Sequence, residues 1–346
     1  MDFSLFKKIA ELSGVSGRED AVRAALLKLF KPVTDEIRVD NMGNIIAYKK
    51  GRGVRKLMLA AHMDEIGLMV NHIDDAGFIH FIPVGGIDAR TLLAQRVTVH
   101  AAKGPVTGVI GTKPVHLLEP AEAAKVVPVK NLFIDAGLVP AQAKELITPG
   151  DTVSLERTAV EFGEDFINSK SIDDRAGVYI ILEALKKVKK FDCDIYAALN
   201  VQEEVGLRGA VTSAYGIDPD LALVVDATAA NDLPATPRHE YNCAVGKGVA
   251  ITVMDSGTIV NPQIVKTLKV LARENGINNQ PKISARGSND AAAIHKTKNG
   301  VPTGILSLPT RYIHSSIETC SKADIDAAVD LTVAFIENCC KHNFDF

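Results

Sequence analysis

Four short, almost wholly apolar segments constrain the fold of this chain more than any other feature. They span residues 56–61, 195–201, 221–225 and 303–308. Continuous apolar runs of this length are typical of strands buried on both faces, as in a parallel sheet covered by helices. Apolar residues at helical spacing over 178–188 predict one such helix. The pattern predicts an α/β protein with a central parallel sheet.

Each apolar segment ends at a histidine or carboxylate, or runs into one. His62 and Asp226 end two of the predicted strands directly. Glu204 and His314 follow the other two, and Asp173 opens the predicted helix. In an open α/β sheet the carboxyl ends of the strands meet at one crevice. These five side chains are therefore expected to converge.

Two histidines and three carboxylates form a suitable donor set for two divalent metal ions. Such a site needs a bridging carboxylate, further nitrogen or oxygen donors for each ion and an open position for water. The three carboxylates nearly balance the charge of two ions, so no further anionic ligand is required. Glu203, which adjoins Glu204, is then free to act as a base. The sequence predicts a two-metal hydrolase.

Each of these residues also has an ordinary structural interpretation. A histidine or aspartate at a strand end is often a turn or capping residue. Asp173 and Asp174 would be favourable at a helix N-terminus through the helix dipole alone. Glu203 and Glu204 could form a solvated charge pair. The conjunction of all these residues at strand ends favours the metal site.

The spacing of the candidate ligands indicates an inserted domain. His62 and Asp173 are 111 positions apart, whereas Glu204 and Asp226 follow at intervals of 31 and 22, typical of successive αβ units. Residues 68–163 contain short alternating runs separated by turn residues, which predicts a β-rich domain. We therefore predict a discontinuous catalytic domain of residues 1–67 and 164–346, interrupted by residues 68–163.

Composition restricts the class of protein. The net charge is −3 and there is no basic block, so neither a nucleic acid nor an anionic membrane is an expected partner. The five cysteines are odd in number and lack a Cys-x-x-Cys spacing, which indicates reduced thiols and a cytoplasmic location. No apolar run approaches the roughly 18 residues of a membrane span. We expect no signal peptide, because the N-terminal segment carries charges throughout.

Five segments resemble signatures of the M42 family of metallo-aminopeptidases, which includes glutamyl aminopeptidases and the tetrahedral TET peptidases. They are Ala-His-Met-Asp-Glu-Ile-Gly at 61–67, Ser-Ile-Asp-Asp-Arg-Ala-Gly at 171–177, Gln-Glu-Glu-Val-Gly at 202–206, Asp-Ala-Thr at 226–228 and Arg-Tyr-Ile-His-Ser at 311–315. The likeness covers essentially the whole chain. It implies a three-layer αβα, phosphorylase/hydrolase-like domain that binds two metal ions, with an inserted β-barrel-like dimerisation domain. It also implies a homo-oligomer in which dimers build a tetrahedral dodecamer.

The resemblance implies roles for the predicted ligands. Asp173 would bridge the two ions. His62 and Asp226 would bind one ion, and Glu204 and His314 the other. The ions would be zinc, cobalt or manganese, because sites of nitrogen and oxygen donors discriminate weakly among these metals.

The same resemblance assigns two catalytic residues. Glu203 matches the general base, and Asp64 matches the acid that orients His62. A carboxylate on the second imidazole nitrogen fixes the tautomer of a metal-binding histidine. Similar enzymes also hold a cis peptide bond after the bridging aspartate, here between Asp173 and Asp174.

Substrate recognition is less constrained by the sequence. Residues 287–290 read Gly-Ser-Asn-Asp where the family usually shows Gly-Thr-Asp or Ser-Asp, and Val249 replaces a usual proline. Asp290 and Arg311 are predicted to lie near the substrate. Lys247 and Arg286 are candidates for the cation that an acidic side chain would need, and either could equally be a solvated surface charge.

These observations predict an aminopeptidase that removes residues from peptides with a free N-terminus. The metals would polarise the scissile carbonyl and acidify a water, and Glu203 would carry its proton to the leaving amine. A related two-metal deacylase or carboxypeptidase and a non-catalytic metal-binding assembly protein remain alternatives. A glycosidase is poorly supported, because the chain has no tryptophan and only 5% aromatic residues.

Overall fold

The computed structural model describes residues 1–344 of the chain. Its strands are β1 (Glu36–Val39), β2 (Ile45–Lys49), β3 (Lys56–His62), β4 (Gly67–Ile73), β5 (Ile79–Val84), β6 (Arg96–Ala101), β7 (Gly104–Gly111), β8 (Phe133–Asp135), β9 (Thr152–Leu155), β10 (Val160–Phe162), β11 (Phe166–Ser169), β12 (Asp194–Asn200), β13 (Leu221–Ala229), β14 (Val249–Met254), β15 (Asn279–Ile283), β16 (Thr303–Thr310) and β17 (Glu318–Ser321). Its α-helices are α1 (Phe3–Ala10), α2 (Asp20–Phe30), α3 (Ala89–Leu92), α4 (Pro120–Ala123), α5 (Pro140–Leu146), α6 (Ile172–Lys187), α7 (Arg208–Ile217), α8 (Pro262–Glu274), α9 (Ala291–Ile294) and α10 (Lys322–Asn338).

An eight-stranded sheet forms the centre of the protein, in the order β1-β2-β12-β3-β13-β16-β14-β15. Neighbouring strands from β12 to β16 are parallel, as predicted. Strand β14 runs antiparallel to β16 and parallel to β15. Because β12, β3, β13 and β16 point the same way, their carboxyl ends lie along one edge of the sheet.

Helices cover both faces of this sheet. Helix α6 packs on β3 and β13 and against α10. Helices α7 and α9 contact each other, and α7 packs on β12 and β3 while α9 packs on β13 and β16. Strand β3 is buried from Leu57 to His62, because its small and aliphatic side chains lie between the two helical layers. This is the predicted three-layer arrangement. Among residues 1–344 no helix combines the length and hydropathy needed to cross a membrane.

A second body is a closed six-stranded barrel with the order β4-β5-β8-β7-β6-β9. Its interior is a separate cluster of buried aliphatic residues that includes Leu68, Val97, Ile134 and Val153. The predicted barrel-like insertion after the first ligand is confirmed. Strand β10 pairs instead with β11, which pairs with β17. We propose that residues 1–67 and 164–346 form the catalytic domain and that residues 68–163 form the inserted domain.

Two local details differ from the sequence-based expectation. Strand β13 does not end at Asp226 but continues to Ala229, because its pairing with β16 extends to Thr310. Asp173 precedes the regular part of α6, with an extended conformation at φ −79° and ψ 108°. The following peptide bond, to Asp174, is cis, as the resemblance implied.

Candidate metal centre

A cavity of about 820 Å³ opens at the carboxyl ends of the central strands. Its wall brings together the predicted base and all five predicted metal ligands. These residues are His62, Asp173, Glu203, Glu204, Asp226 and His314. Because they come from distant parts of the chain, the parallel sheet is what makes them neighbours.

The Asp173 carboxylate lies between the two histidines. Its Oδ1 is 3.0 Å from His62 Nε2, and its Oδ2 is 3.3 Å from His314 Nε2. Glu204 Oε2 is also 3.3 Å from His314 Nε2, while Asp226 Oδ1 is 3.9 Å from His62 Nε2. The donors therefore form two groups that share Asp173.

Two buried carboxylates support His62. Asp174 Oδ2 accepts the His62 backbone N–H at 3.2 Å. Asp64 Oδ1 is 3.4 Å from His62 Nδ1, although this buried nitrogen has no partner with hydrogen-bond geometry. The Asp64 carboxylate also accepts the backbone N–H groups of Glu203 and Glu204, at 3.0 and 3.3 Å. Asp64 thus ties the end of β3 to the segment that follows β12.

His314 is oriented by the barrel. Its Nδ1 lies 2.8 Å from the carbonyl oxygen of Gly86, in the segment between β5 and α3. Because a carbonyl can only accept, Nδ1 carries a proton, so that in the neutral imidazole Nε2 keeps the lone pair and faces Asp173 and Glu204. His314 itself has a left-handed backbone conformation, with φ at 59°.

Glu318 is a supporting residue that the sequence analysis missed. Its carboxylate is buried and accepts the backbone N–H groups of Asp173 at 2.9 Å and His314 at 2.8 Å. It therefore holds one residue from each of two distant segments. The available signal was a lone carboxylate at the start of an otherwise uncharged strand, close behind His314.

The electrostatics of the site reflect a surplus of buried negative charge. Burial and repulsion by Asp173 raise the pKa of Glu204 to about 7 and that of Glu318 to about 8. Burial also raises the pKa of Glu203 and Asp226 well above the usual range. Protons therefore stay on groups that would be ionised in water.

The pKa values of both histidines are raised, although burial by itself would lower them. Burial disfavours the charged imidazole, yet the Asp173 hydrogen bond and the charge of Glu204 raise the pKa of His314 to about 10. The pKa of His62 is also well above its ordinary value, because Asp173 and Asp64 outweigh its burial. Asp173 itself is buried, but the two histidines hold its pKa well below the usual range.

Divalent cations fit this arrangement. The donors are imidazole nitrogens and carboxylate oxygens, which suit zinc, cobalt or manganese. Cations would compensate the negative charge that the metal-free site offsets with protons. His62, Asp173 and Asp226 could hold one ion, and Asp173, Glu204 and His314 a second. Asp174 is close to the first group, but its oxygens accept the backbone N–H groups of His62 and Gly177.

Of the four predicted substrate residues, Arg286 lines the cavity and the others do not. Lys247 is exposed outside it, between glycines whose N–H groups donate to Asp324. Asp290 is buried behind the wall, where its Oδ2 accepts from the Asn200 amide at 2.7 Å. Arg311 is held by an ion pair with Asp232 at 2.5 Å.

The sequence analysis missed one cation in the cavity wall. Lys282 belongs to the edge strand β15, lines the cavity and is only 4% exposed. Residues 280 and 282 lie on the inward face of β15, whereas Pro281 and Ile283 are exposed. A lysine in a short polar strand gives little sequence signal, because most lysines are solvated.

Comparison with known proteins decides the family. The sequence profile described as M42 glutamyl aminopeptidase matches residues 43–331. The chain belongs to this family. This M42 aminopeptidase is a hydrolase that acts as an exopeptidase, and metal dependence is a property of its family. It is 34% identical over 342 residues to the lysyl aminopeptidase of Pyrococcus furiosus, with 97% of each chain covered.

Solved structures of an aminopeptidase and of a TET peptidase share the fold. An aminopeptidase from Desulfurococcus kamchatkensis superposes with a TM-score of 0.93 at 42% identity, covering 97% of this chain and 94% of that one. The TET1 peptidase of Pyrococcus horikoshii gives 0.87 at 33% identity, covering 96% and 98%. The latter is described as able to assemble into a tetrahedron or a large octahedral shell.

Metal removal is predicted to make stability fall as pH rises. Glu204, Glu318 and His314 have native pKa values of about 7, 8 and 10, all above their ordinary values. The native state therefore binds more protons than the unfolded state above about pH 5, and it loses stability as these protons leave. Melting temperatures of chelator-treated protein should be lower at pH 8 than at pH 6.

Zinc added at pH 8 should reverse this loss, because an ion that binds only the native state stabilises it. Zinc should raise the melting temperature less at pH 6, where protons compete for the ligands. A metal-free protein that is equally stable at both pH values, or more stable at pH 8, would contradict the proposed charge surplus.

Proposed function

We propose that this aminopeptidase binds two divalent metal ions and removes single residues from peptides with a free N-terminus. The observation that carries the proposal is the position of Asp173, whose two carboxylate oxygens face His62 and His314 separately. A carboxylate that bridges two ions needs this arrangement. Asp226 and Glu204 then complete one donor group each.

Two bound divalent ions would polarise the scissile carbonyl and lower the pKa of a water molecule. Glu203 would accept a proton from the attacking water and donate it to the leaving nitrogen. Its carboxylate lines the cavity and forms no hydrogen bond or ion pair with the other residues of the described chain. Burial raises its pKa, which brings the group closer to the range where it can both accept and return a proton.

Asp64 has a positioning role in this proposal. Its oxygens hold the backbone of Glu203 and Glu204 while one of them faces His62 Nδ1. Both the base and two ligands therefore depend on one buried carboxylate. Ser16 fixes that carboxylate through a 2.6 Å hydrogen bond from its hydroxyl group.

We also propose that the enzyme is a cytoplasmic homo-oligomer whose dimers form through the barrel and build a tetrahedral dodecamer. The barrel segment exposes several large apolar side chains, including Ile82, Val109 and Leu117. In the cytoplasm, Cys193, Cys339 and Cys340 would remain thiols, although their sulfur atoms lie within 4.8 Å of one another. Light scattering that returned the 37.0 kDa mass of one chain would contradict the assembly.

Glu203→Gln should lower kcat by about 10²- to 10⁴-fold, the usual contribution of a general base. The change leaves every predicted metal ligand in place, so metal content should not fall. Turnover and bound metal should be measured on the same preparation. Glu161→Gln, which removes an exposed carboxylate from β10, is the control and should behave as the wild type. Near-normal turnover by Glu203→Gln with full metal content would exclude Glu203 as the base.

The activity itself is tested with one short peptide, offered with a free and with an acetylated N-terminus. Metal-stripped protein should cleave neither form. After addition of Zn²⁺, Co²⁺ or Mn²⁺ it should release the first residue of the free peptide alone. Cleavage of the acetylated peptide would indicate a deacylase or an endopeptidase. Metal binding without any cleavage would favour a non-catalytic assembly protein.

A further inference from the structure

Lys282 is a buried cation in a wall of the active-site cavity. Strand β15 is five residues long and lies at the edge of the sheet, and its last residue, Ile283, is 63% exposed. The cavity wall continues from Lys282 through residues 283–289. The lysine therefore lies where the strand turns into one side of the cavity, close to the predicted ligand Asp226.

The ammonium group of Lys282 has no partner in the described part of the chain. No hydrogen bond or ion pair joins it to another residue in the range 1–344. Lysines are almost never buried to this degree unless they are paired, because an isolated buried charge is costly. Burial accordingly lowers the pKa of Lys282. An unpaired cation that faces a cavity can bind an anion.

The nearest negative charges are committed to other groups. Asp255 and Asp226 both act on Lys282 at longer range. Asp255 Oδ1 accepts the backbone N–H groups of Gly257 and Thr258, and its Oδ2 accepts from the Asn289 amide at 3.3 Å. Asp226 belongs to the proposed metal centre. Neither carboxylate forms an ion pair with the lysine.

We propose that Lys282 binds the side-chain carboxylate of an acidic N-terminal residue, so that the enzyme prefers glutamyl and aspartyl peptides. Arg286, on the same wall but more exposed, adds positive charge at the rim. The substrate amine would lie at the carboxylate-rich end of the cavity. The two ends of the cavity would thus recognise opposite charges on one residue.

Family membership does not decide this preference. The matching family is described as glutamyl aminopeptidase, whereas a relative that is 34% identical is named a lysyl aminopeptidase. The side-chain preference must therefore come from residues of the individual chain. The inference rests on the proposed function, and the experiment distinguishes a failure of the inference from a failure of that function.

The deciding substrates are glutamyl, glutaminyl and leucyl p-nitroanilides, assayed with the metal-loaded protein. Glutamate and glutamine side chains have nearly the same shape, so the ratio of their kcat/KM values isolates the charge. Anilides also lack the C-terminal carboxylate that Lys282 could otherwise bind in a dipeptide. The wild type should favour the glutamyl substrate over the glutaminyl one by about 10- to 100-fold, the contribution of a buried charge-assisted hydrogen bond.

Lys282→Met removes the charge and keeps a long apolar side chain. Since an unpaired buried charge opposes folding, this variant should be at least as stable as the wild type. It should lose the preference for glutamyl over glutaminyl substrate, and its kcat/KM should fall more for the glutamyl substrate than for the leucyl one. Lys247→Gln is the matched control, because Lys247 lies outside the cavity, and it should retain the full preference. Lys282→Glu should shift the preference towards lysyl substrate.

The outcomes are distinct. Wild-type protein that cleaves leucyl substrate but treats glutamyl and glutaminyl alike would overturn the role of Lys282 and leave the aminopeptidase intact. Equal loss of all three activities in Lys282→Met would assign the lysine a structural role and equally overturn the inference. No cleavage of any anilide with any metal would instead contradict the proposed function. Should the variant fail to fold, equal wild-type kcat/KM values for glutamyl and glutaminyl substrates would still overturn the inference.

Discussion

Buried negative charge at the carboxyl edge of the central sheet is the constraint on which the site depends. Removing several carboxylates from water is costly unless each is hydrogen-bonded or faces a cation. The fold meets this cost partly with backbone donors, because Asp64, Asp174 and Glu318 each accept N–H groups from segments that carry predicted ligands. Protons offset the remaining charge in the metal-free site, and divalent cations suit the same positions. The same surplus of buried negative charge would favour the binding of divalent cations at this edge of the sheet.

Much of the fold could be predicted because buried parallel strands have a strong sequence signature. Strand β3 extends from Lys56 to His62, as predicted, since its apolar residues contact helices on both faces. The β-rich insertion after the first ligand was also predictable from alternating runs, and the family resemblance implied its barrel-like form. The end of β13 was not, because its last residues are ordered by pairing with β16, a contact that no local pattern encodes. For the same reason the association of β10 with β11 and β17 required the structure.

Four of the predicted ligands converge because each lies near the end of a strand whose direction the sequence indicates, and Asp173 joins them from the start of α6. Residues whose roles depend on the direction of the side chain were harder to predict from the sequence. Lys247 and Lys282 are indistinguishable by residue type, yet one is exposed and the other faces the cavity. Glu318 was missed because its carboxylate accepts hydrogen bonds from backbone N–H groups, which leave no pattern in the sequence. Sequence reasoning finds donors placed by the sheet, and it fails for groups placed by tertiary contacts.

The hydrogen bond between His314 Nδ1 and the Gly86 carbonyl joins two bodies with separate hydrophobic cores. Such a bond contributes only about 1 kcal/mol, so it can break without unfolding either body. The carbonyl that orients this imidazole thus belongs to a different body from the other predicted ligands. The orientation of one predicted ligand is therefore set by the contact of the barrel with the sheet.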